Sequence, residues 1–224
     1  MKKMFKYTLL VIIFLASTAM QPVKPKRVIF FGDSITWHGP DPDGFITLMQ
    51  NRLKENKLAD RYELIGAGVS GNKIYDLYFR LNKDVLSKNP DMVFIYIGVN
   101  DVWHKIQTGT GTDLNRFEKF YSAIIEQIQA AGAKVVLCTP AVIGEKKANT
   151  NEQDGDLNLY AKTVNNLAVK YKCEFIDLRK EFTQYNEQNN IRNEEKGVLT
   201  RDKVHLNAAG NQMVAKLMYD KLVM

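Results

Sequence analysis

Five apolar runs of strand length recur along the 224-residue chain, and between and after them lie segments whose apolar residues have helical spacing. The runs are "RVIFF" (27–31), "YELIGAG" (62–68), "MVFIYIG" (92–98), "AKVVLCTP" (133–140) and "CEFIDL" (173–178). The intervening periodic segments are 44–56, 74–86 (stopped near Asn89 and Pro90), 115–132 (closed by Gly132), 157–172 and 207–222. Strand and helix alternating in this way imply a parallel sheet covered by helices on both faces, with right-handed crossovers. The run 92–98 is the most continuously apolar, so it is expected at the centre, buried on both faces. The expected fold is therefore a three-layer αβα, flavodoxin-like five-stranded parallel sheet of strand order 2-1-3-4-5. In such sheets ligands bind beyond the carboxyl ends of the strands, so the residues just after each strand carry the functional information.

The ends of the chain narrow the context. "MKKMFK" followed by "LLVIIFLA" and "STA" has the layout of a secretory signal peptide over residues 1–19, with a polar linker over 20–26 and one domain over 27–224. The apolar run is short for a membrane span, and no cysteine follows it as a lipoprotein anchor would need. The formal charge of +6 loses three with Lys2, Lys3 and Lys6, leaving a balance that gives no argument for nucleic acid. Cys138 closes one expected strand and Cys173 opens the next parallel one. At about 3.3 Å per residue they stand about 13 Å apart, too far for a disulfide, so two buried thiols are expected. There is no HExxH pattern or cysteine cluster to suggest a metal, and no cofactor is implied.

After the first run comes Gly32-Asp33-Ser34, after the second "GAGVSGN" (66–72), after the third "GVND" (98–101), and before the last helix "TRDKVHLN" (200–207). Taken singly, each is as ordinary as a turn or a helix cap. Taken together they all fall on one rim of the expected sheet. In that order they resemble the SGNH or GDSL hydrolases, over essentially residues 27–222. The "GDSIT", "GVSGN", "GVND" and "DKVH" segments match the family's blocks one, two, three and five. Block two departs from the pattern, since Ala67, or Gly66 if shifted by one, stands where many members have Asn.

The resemblance implies Ser34 as nucleophile, His205 as base and Asp202 as the carboxylate that orients it. It also implies an oxyanion hole from the Ser34 N–H, the Gly71 N–H and the Asn100 amide, with Gly68 as the alternative glycine. The chemistry is consistent with these roles: a serine hydroxyl needs a base, the base needs an orienting acceptor, and the oxyanion needs fixed donors. Asp33 and Asp101 are expected to brace the turns. His38 and His104 are rival bases, and with Trp37 and Trp103 they are candidate substrate contacts. The segments 144–156 and 183–200 read as polar surface loops.

The expected function is an exported serine esterase that works through an acyl-enzyme and acts on a small-molecule or glycan ester, with acetyl groups on carbohydrate favoured by export. Lysophospholipase or thioesterase activity is the alternative within the family. A non-catalytic flavodoxin-like or carbohydrate-binding module is the alternative outside it.

Overall fold

The computed structural model describes residues 24–224, so the expected signal peptide over 1–19 lies outside the described residues. From the first strand onward the elements are β1 (Lys26–Gly32), α1 (Ser34–Trp37), α2 (Phe45–Glu55), β2 (Tyr62–Gly68), α3 (Ile74–Asp84), β3 (Met92–Tyr96), α4 (Val99–Gln107), α5 (Leu114–Ala130), β4 (Lys134–Cys138), α6 (Asp154–Tyr171), β5 (Glu174–Ile176), α7 (Leu178–Asn189) and α8 (Ala208–Val223). The sheet is wholly parallel, in the order β2-β1-β3-β4-β5, as the alternation of elements requires.

The central place of β3 follows from its composition. Val93, Phe94 and Ile95 are fully buried, and Phe94 stacks on Phe30 of β1 with ring centroids 5.0 Å apart. Helix α2 packs against α8, and α3, α5 and α6 pack in series, so the sheet is flanked by helices. Because β1 is bonded to both β2 and β3, the chain leaves β1 in opposite directions at its two neighbours. The carboxyl end of β1 is thus the topological switch point, where open α/β sheets bind their ligands.

Several expectations shift in detail. Strand β5 is only three residues long, because Asp177 caps α7 through its side chain and ends the strand early. Helix α7 occupies the first part of the expected 183–200 loop. Its pattern is hard to read because only Leu178, Arg179, Phe182 and Asn186 are buried, and two of these are polar. Helix α4 also escapes a reading by periodicity, since its first turn is the "GVND" motif itself. Cys138 lies opposite Ile176 at the ends of β4 and β5, while Cys173 precedes the start of β5, and both are free thiols. Burial raises both thiol pKa values, that of Cys173 to about 11. Cys173 is only half-buried, however, against the expectation of two buried thiols, because it precedes the short edge strand rather than lying within it.

Candidate active site

Strand β1 ends at Gly32, and the next residue turns the chain into α1. Asp33 makes the turn by capping: its Oδ1 accepts the Ile35 N–H at 2.9 Å. Ser34 is the first residue of the helix, so its own N–H has no intrahelical acceptor, and none is found among the described residues. A second buried carboxyl supports the neighbouring turn. Asp101, in the first turn of α4, accepts the Ile74 N–H at 3.1 Å and so ties α4 to the start of α3. Burial pushes the carboxyl pKa of both Asp33 and Asp101 up to about 7, and for Asp33 the neighbouring Asp101 charge adds to the rise. Both are thus bracing residues, as the sequence suggested.

Between these turns lies Arg80, a residue that sequence reasoning missed. Its guanidinium donates to the Gly32 carbonyl at 2.7 Å, the Ala67 carbonyl at 2.9 Å, the Asn72 Oδ1 at 2.7 Å and the Asp84 carboxylate at 2.9 Å. One planar fork therefore joins the ends of β1 and β2 to the loop that follows β2. It also lies over the Phe31 ring at 4.5 Å. Nothing in the sequence marks Arg80 beyond its place on the polar side of an amphipathic helix.

The loop after β2 holds both candidate glycines, and they differ sharply. A Cβ on Gly68 would lie 2.1 Å from the Trp37 backbone nitrogen, so this glycine permits the close packing of β2 against α1. Gly71 has φ +77°, nothing within 4 Å of a notional Cβ, and an N–H without a backbone acceptor among the described residues. Asn100 is buried, and its Nδ2 donates to the Asn72 carbonyl at 3.0 Å. An amide nitrogen carries two hydrogens, so one remains for a ligand.

His205 arrives from the opposite side. Its Nε2 is 2.8 Å from Ser34 Oγ and its Nδ1 is 2.7 Å from Asp202 Oδ2. Asp202 Oδ1 accepts the backbone N–H of His205 at 2.8 Å and of Val204 at 3.2 Å, which folds the turn back on itself. Burial would raise the Asp202 pKa, but these N–H groups and the His205 ring outweigh it and hold the carboxyl below its ordinary value. A carboxylate on Nδ1 keeps the proton there, which leaves the Nε2 lone pair facing the serine hydroxyl.

The turn is held by a residue from the expected surface loop. Glu145 is fully buried, and its carboxylate accepts the N–H groups of Val198 at 2.8 Å, Leu199 at 2.6 Å and Thr200 at 2.8 Å. Gly144 N–H donates to the Lys203 carbonyl at 2.9 Å, and Glu195 bridges Lys146 and Lys203. The start of segment 144–156 is thus part of the support for His205, which "GEKK" gives no local reason to expect.

The remaining candidates lie around this centre. The His38 ring is 6.0 Å from the His205 ring and has its own carboxylate partner, Asp41, at 2.8 Å. It makes no hydrogen bond with Ser34 among the described residues. Trp103 lies 6.4 Å from the His205 ring and is partly buried, while Trp37 is exposed. His104 lies 5.9 Å from Trp103, and partial burial followed by the Lys73 charge lowers its pKa. No group of three or more His, Cys, Asp or Glu side chains suited to a metal ion occurs among the described residues. No described helix is long and apolar enough to cross a membrane.

With this geometry, comparison with known proteins gives a consistent answer. The chain belongs to the GDSL-like lipase/acylhydrolase family, whose match runs over residues 30–213. It is a carboxylic-ester hydrolase of the SGNH/GDSL class. It is similar to the crystal structure of an acetyl xylan esterase, AlAXEase, with a TM-score of 0.87 and 57% identity over 88% of this chain and 99% of that one. The acetylxylan esterase of Geobacillus stearothermophilus is 25% identical over an alignment of 209 residues that covers 85% of this chain and 91% of that protein. The uncharacterized lipoprotein YqeF of Bacillus subtilis (strain 168) is 26% identical over an alignment of 129 residues that covers 54% of this chain and 51% of that protein.

Proposed function

We propose that the chain is an exported serine esterase that removes acetyl groups from carbohydrate, with Ser34 as nucleophile. The observation that carries this reading is the unbroken chain of hydrogen bonds from Ser34 Oγ through His205 to Asp202, at 2.8 and 2.7 Å. Ser34 Oγ attacks the ester carbonyl while His205 Nε2 takes its proton, and Asp202 stabilises the imidazolium that results. The developing oxyanion takes hydrogen bonds from the Ser34 N–H, the Gly71 N–H and the free Asn100 amide hydrogen. Collapse expels the alcohol, which receives the proton from His205, and leaves acyl-Ser34. Water, deprotonated by the same imidazole, then releases the acid and restores the serine.

The alcohol is read from the lining beside the triad. The cavity that includes Trp103 and Lys203 is walled by Lys146, Thr150, Asn151 and Gln153. Hydroxyl-bearing rings suit such a wall, whereas a long acyl chain would gain little from it. The names of the two esterase relatives point the same way. Export rests on the signal-peptide pattern of residues 1–19 and is consistent with a lipoprotein among the relatives.

The test is acetate release from acetylated xylan by the wild type and by Ser34→Ala. The wild type should release acetate and be labelled at Ser34 by a fluorophosphonate, and the variant should retain its fold and do neither. Burst kinetics with an aryl acetate in Ser34→Ala would remove the nucleophile assignment. Active hydrolysis of aryl acetate without any release from carbohydrate would remove the substrate.

A further inference from the structure

Lysine is seldom buried unless a group of opposite charge meets its ammonium. Lys73, between the Gly71 turn and α3, is only 8% exposed. Its Nζ donates to the Gly71 carbonyl at 3.1 Å and lies 5.2 Å from the centre of the Tyr75 ring. The one carboxylate within 4 Å of it among the described residues is Asp76, at 3.6 Å, which is too long for a hydrogen bond. The Asp76 carboxylate is itself partly exposed and already accepts the Lys73 backbone N–H at 2.8 Å. An ammonium has three hydrogens, and only one of these has a hydrogen-bond acceptor among the described residues.

The cost of burying a charge is offset where a countercharge and further acceptors meet it, and around Lys73 that match is incomplete. Its surroundings belong to the oxyanion side of the site. The Nζ is one hydrogen bond from Gly71, the turn residue whose own N–H has no backbone acceptor among the described residues. The same turn is tied to α4, because Asn100 Nδ2 donates to the Asn72 carbonyl at 3.0 Å. The charge of Lys73 is felt along α4 as well. It opposes the burial that raises the Asp101 pKa, and after partial burial it is the cause that lowers that of His104. An anion held by the Gly71 N–H would lie within about 10 Å of the ammonium, by the span of two hydrogen bonds and one residue. At that range a full charge still matters in a site shielded from water.

We infer that Lys73 is a positioning residue for the oxyanion hole, and that the countercharge its buried ammonium lacks is the oxyanion that forms during reaction. By holding the Gly71 carbonyl it fixes the turn in which Gly71 has φ +77°. By its charge it favours the transition state, which is anionic there, over the neutral ester. Arg80 differs in this respect. Its guanidinium is committed to the Gly32 and Ala67 carbonyls, Asn72 Oδ1 and the Asp84 carboxylate, so its charge is already paired. The inference rests on the roles of Ser34, Gly71 and Asn100 proposed above and extends them one hydrogen bond further out.

Comparing ground-state binding with binding of a charged adduct separates this role from a merely structural one. Lys73→Met keeps the aliphatic stem and removes the charge. Its kcat for an aryl acetate should fall about tenfold, with KM within about twofold of the wild type. The Ki of an arylboronic acid, whose tetrahedral adduct on Ser34 carries the negative charge of the transition state, should rise by about the same tenfold factor. Lys73→Arg keeps a cation and should lie between the wild type and Lys73→Met in both measures. Wild-type kcat and Ki in Lys73→Met overturn the inference. So does a loss of kcat without a matching rise in Ki, or a Lys73→Arg enzyme no better than Lys73→Met. If Ser34→Ala is inactive and Lys73→Met is unchanged, the role of Lys73 alone falls. If Ser34→Ala hydrolyses the aryl acetate like the wild type, the Ser34 site falls and the role of Lys73 falls with it.

Discussion

Ser34 and Asn100 stand just beyond the ends of β1 and β3 and are almost wholly buried, whereas Asp202 and His205 stand on a loop whose only pairing is one antiparallel bridge, Thr200 to Leu206. The Asp202 side chain is 45% exposed. The sheet side gains rigidity from the ladder, and its cost is the burial of two carboxyls, Asp33 and Asp101. The loop side lacks a ladder and relies on acceptors from elsewhere, chiefly Glu145. A preorganised site needs both halves fixed, and this chain fixes them by different physical means.

The largest expected effect comes from breaking the loop half. His205→Ala should lower kcat on the order of 10⁴-fold or more, and Asp202→Asn should lower it less. Because the two act through one hydrogen bond, the double variant should be little worse than His205→Ala alone. Fully additive losses in aryl acetate kinetics would show that Asp202 works independently of His205. On the sheet side, Asn100→Ala should lower kcat by about 10²–10³, with a smaller change in KM, since the donor matters most once the oxyanion forms. A change confined to KM would make Asn100 a binding residue instead.

What the sequence made legible follows the same division. The sheet half was readable because strand period and strand-end motifs are local: "GDS" follows β1, "GVND" follows β3, and the strand order agrees with the alternation of elements. The Asp202–His205 pair was readable because its i, i+3 spacing is local too. The supports were not. Arg80 reaches the Gly32 carbonyl across 48 residues and Glu145 reaches Leu199 across 54, and neither sits in a pattern that announces a partner. The choice between Gly68 and Gly71 also needed three dimensions, because the packing of Trp37 over Gly68, and the positive φ of Gly71 and its N–H unpaired among the described residues, separate them.

Those two supports give the next test of the comparison. Arg80→Met removes the fork that joins β1, β2 and the Asn72 loop, so it should lower kcat about tenfold through the oxyanion donors while the ladder keeps the fold. One-tenth is the rate cost of ~1.4 kcal/mol of lost transition-state stabilisation. Glu145→Ala leaves three N–H groups without their acceptor and should lower stability by about 1–3 kcal/mol in urea unfolding, with a loss of kcat alongside. Glu145→Gln keeps one oxygen acceptor and should lie between. If Glu145→Ala unfolds no earlier than the wild type, the loop half is supported by something other than this carboxylate.

The last test is the pH dependence of stability, which differs between the two halves. Asp33 and Asp101 have folded-state pKa values raised to about 7, against 3.8 as the ordinary value. Between those values the folded protein holds protons that the unfolded chain has released. Their contribution to stability is therefore fully present below about pH 4 and is lost as pH rises through about 7. Asp101→Asn keeps an oxygen for the Ile74 N–H but cannot ionise, so it lacks its share of this slope. Its Tm relative to the wild type should rise between pH 4 and pH 7 and level off above, by about 2–4 °C for each ~1 kcal/mol in a domain of this size. Asp202→Asn should stay nearly flat over that range and give the opposite sign only below about pH 4, because the Asp202 pKa is depressed and its contribution is lost only in acid. Thermal melts of the two variants across that range thus read the two halves separately, and a Tm difference for Asp101→Asn that stays flat with pH would mean that the buried carboxyl is ionised throughout.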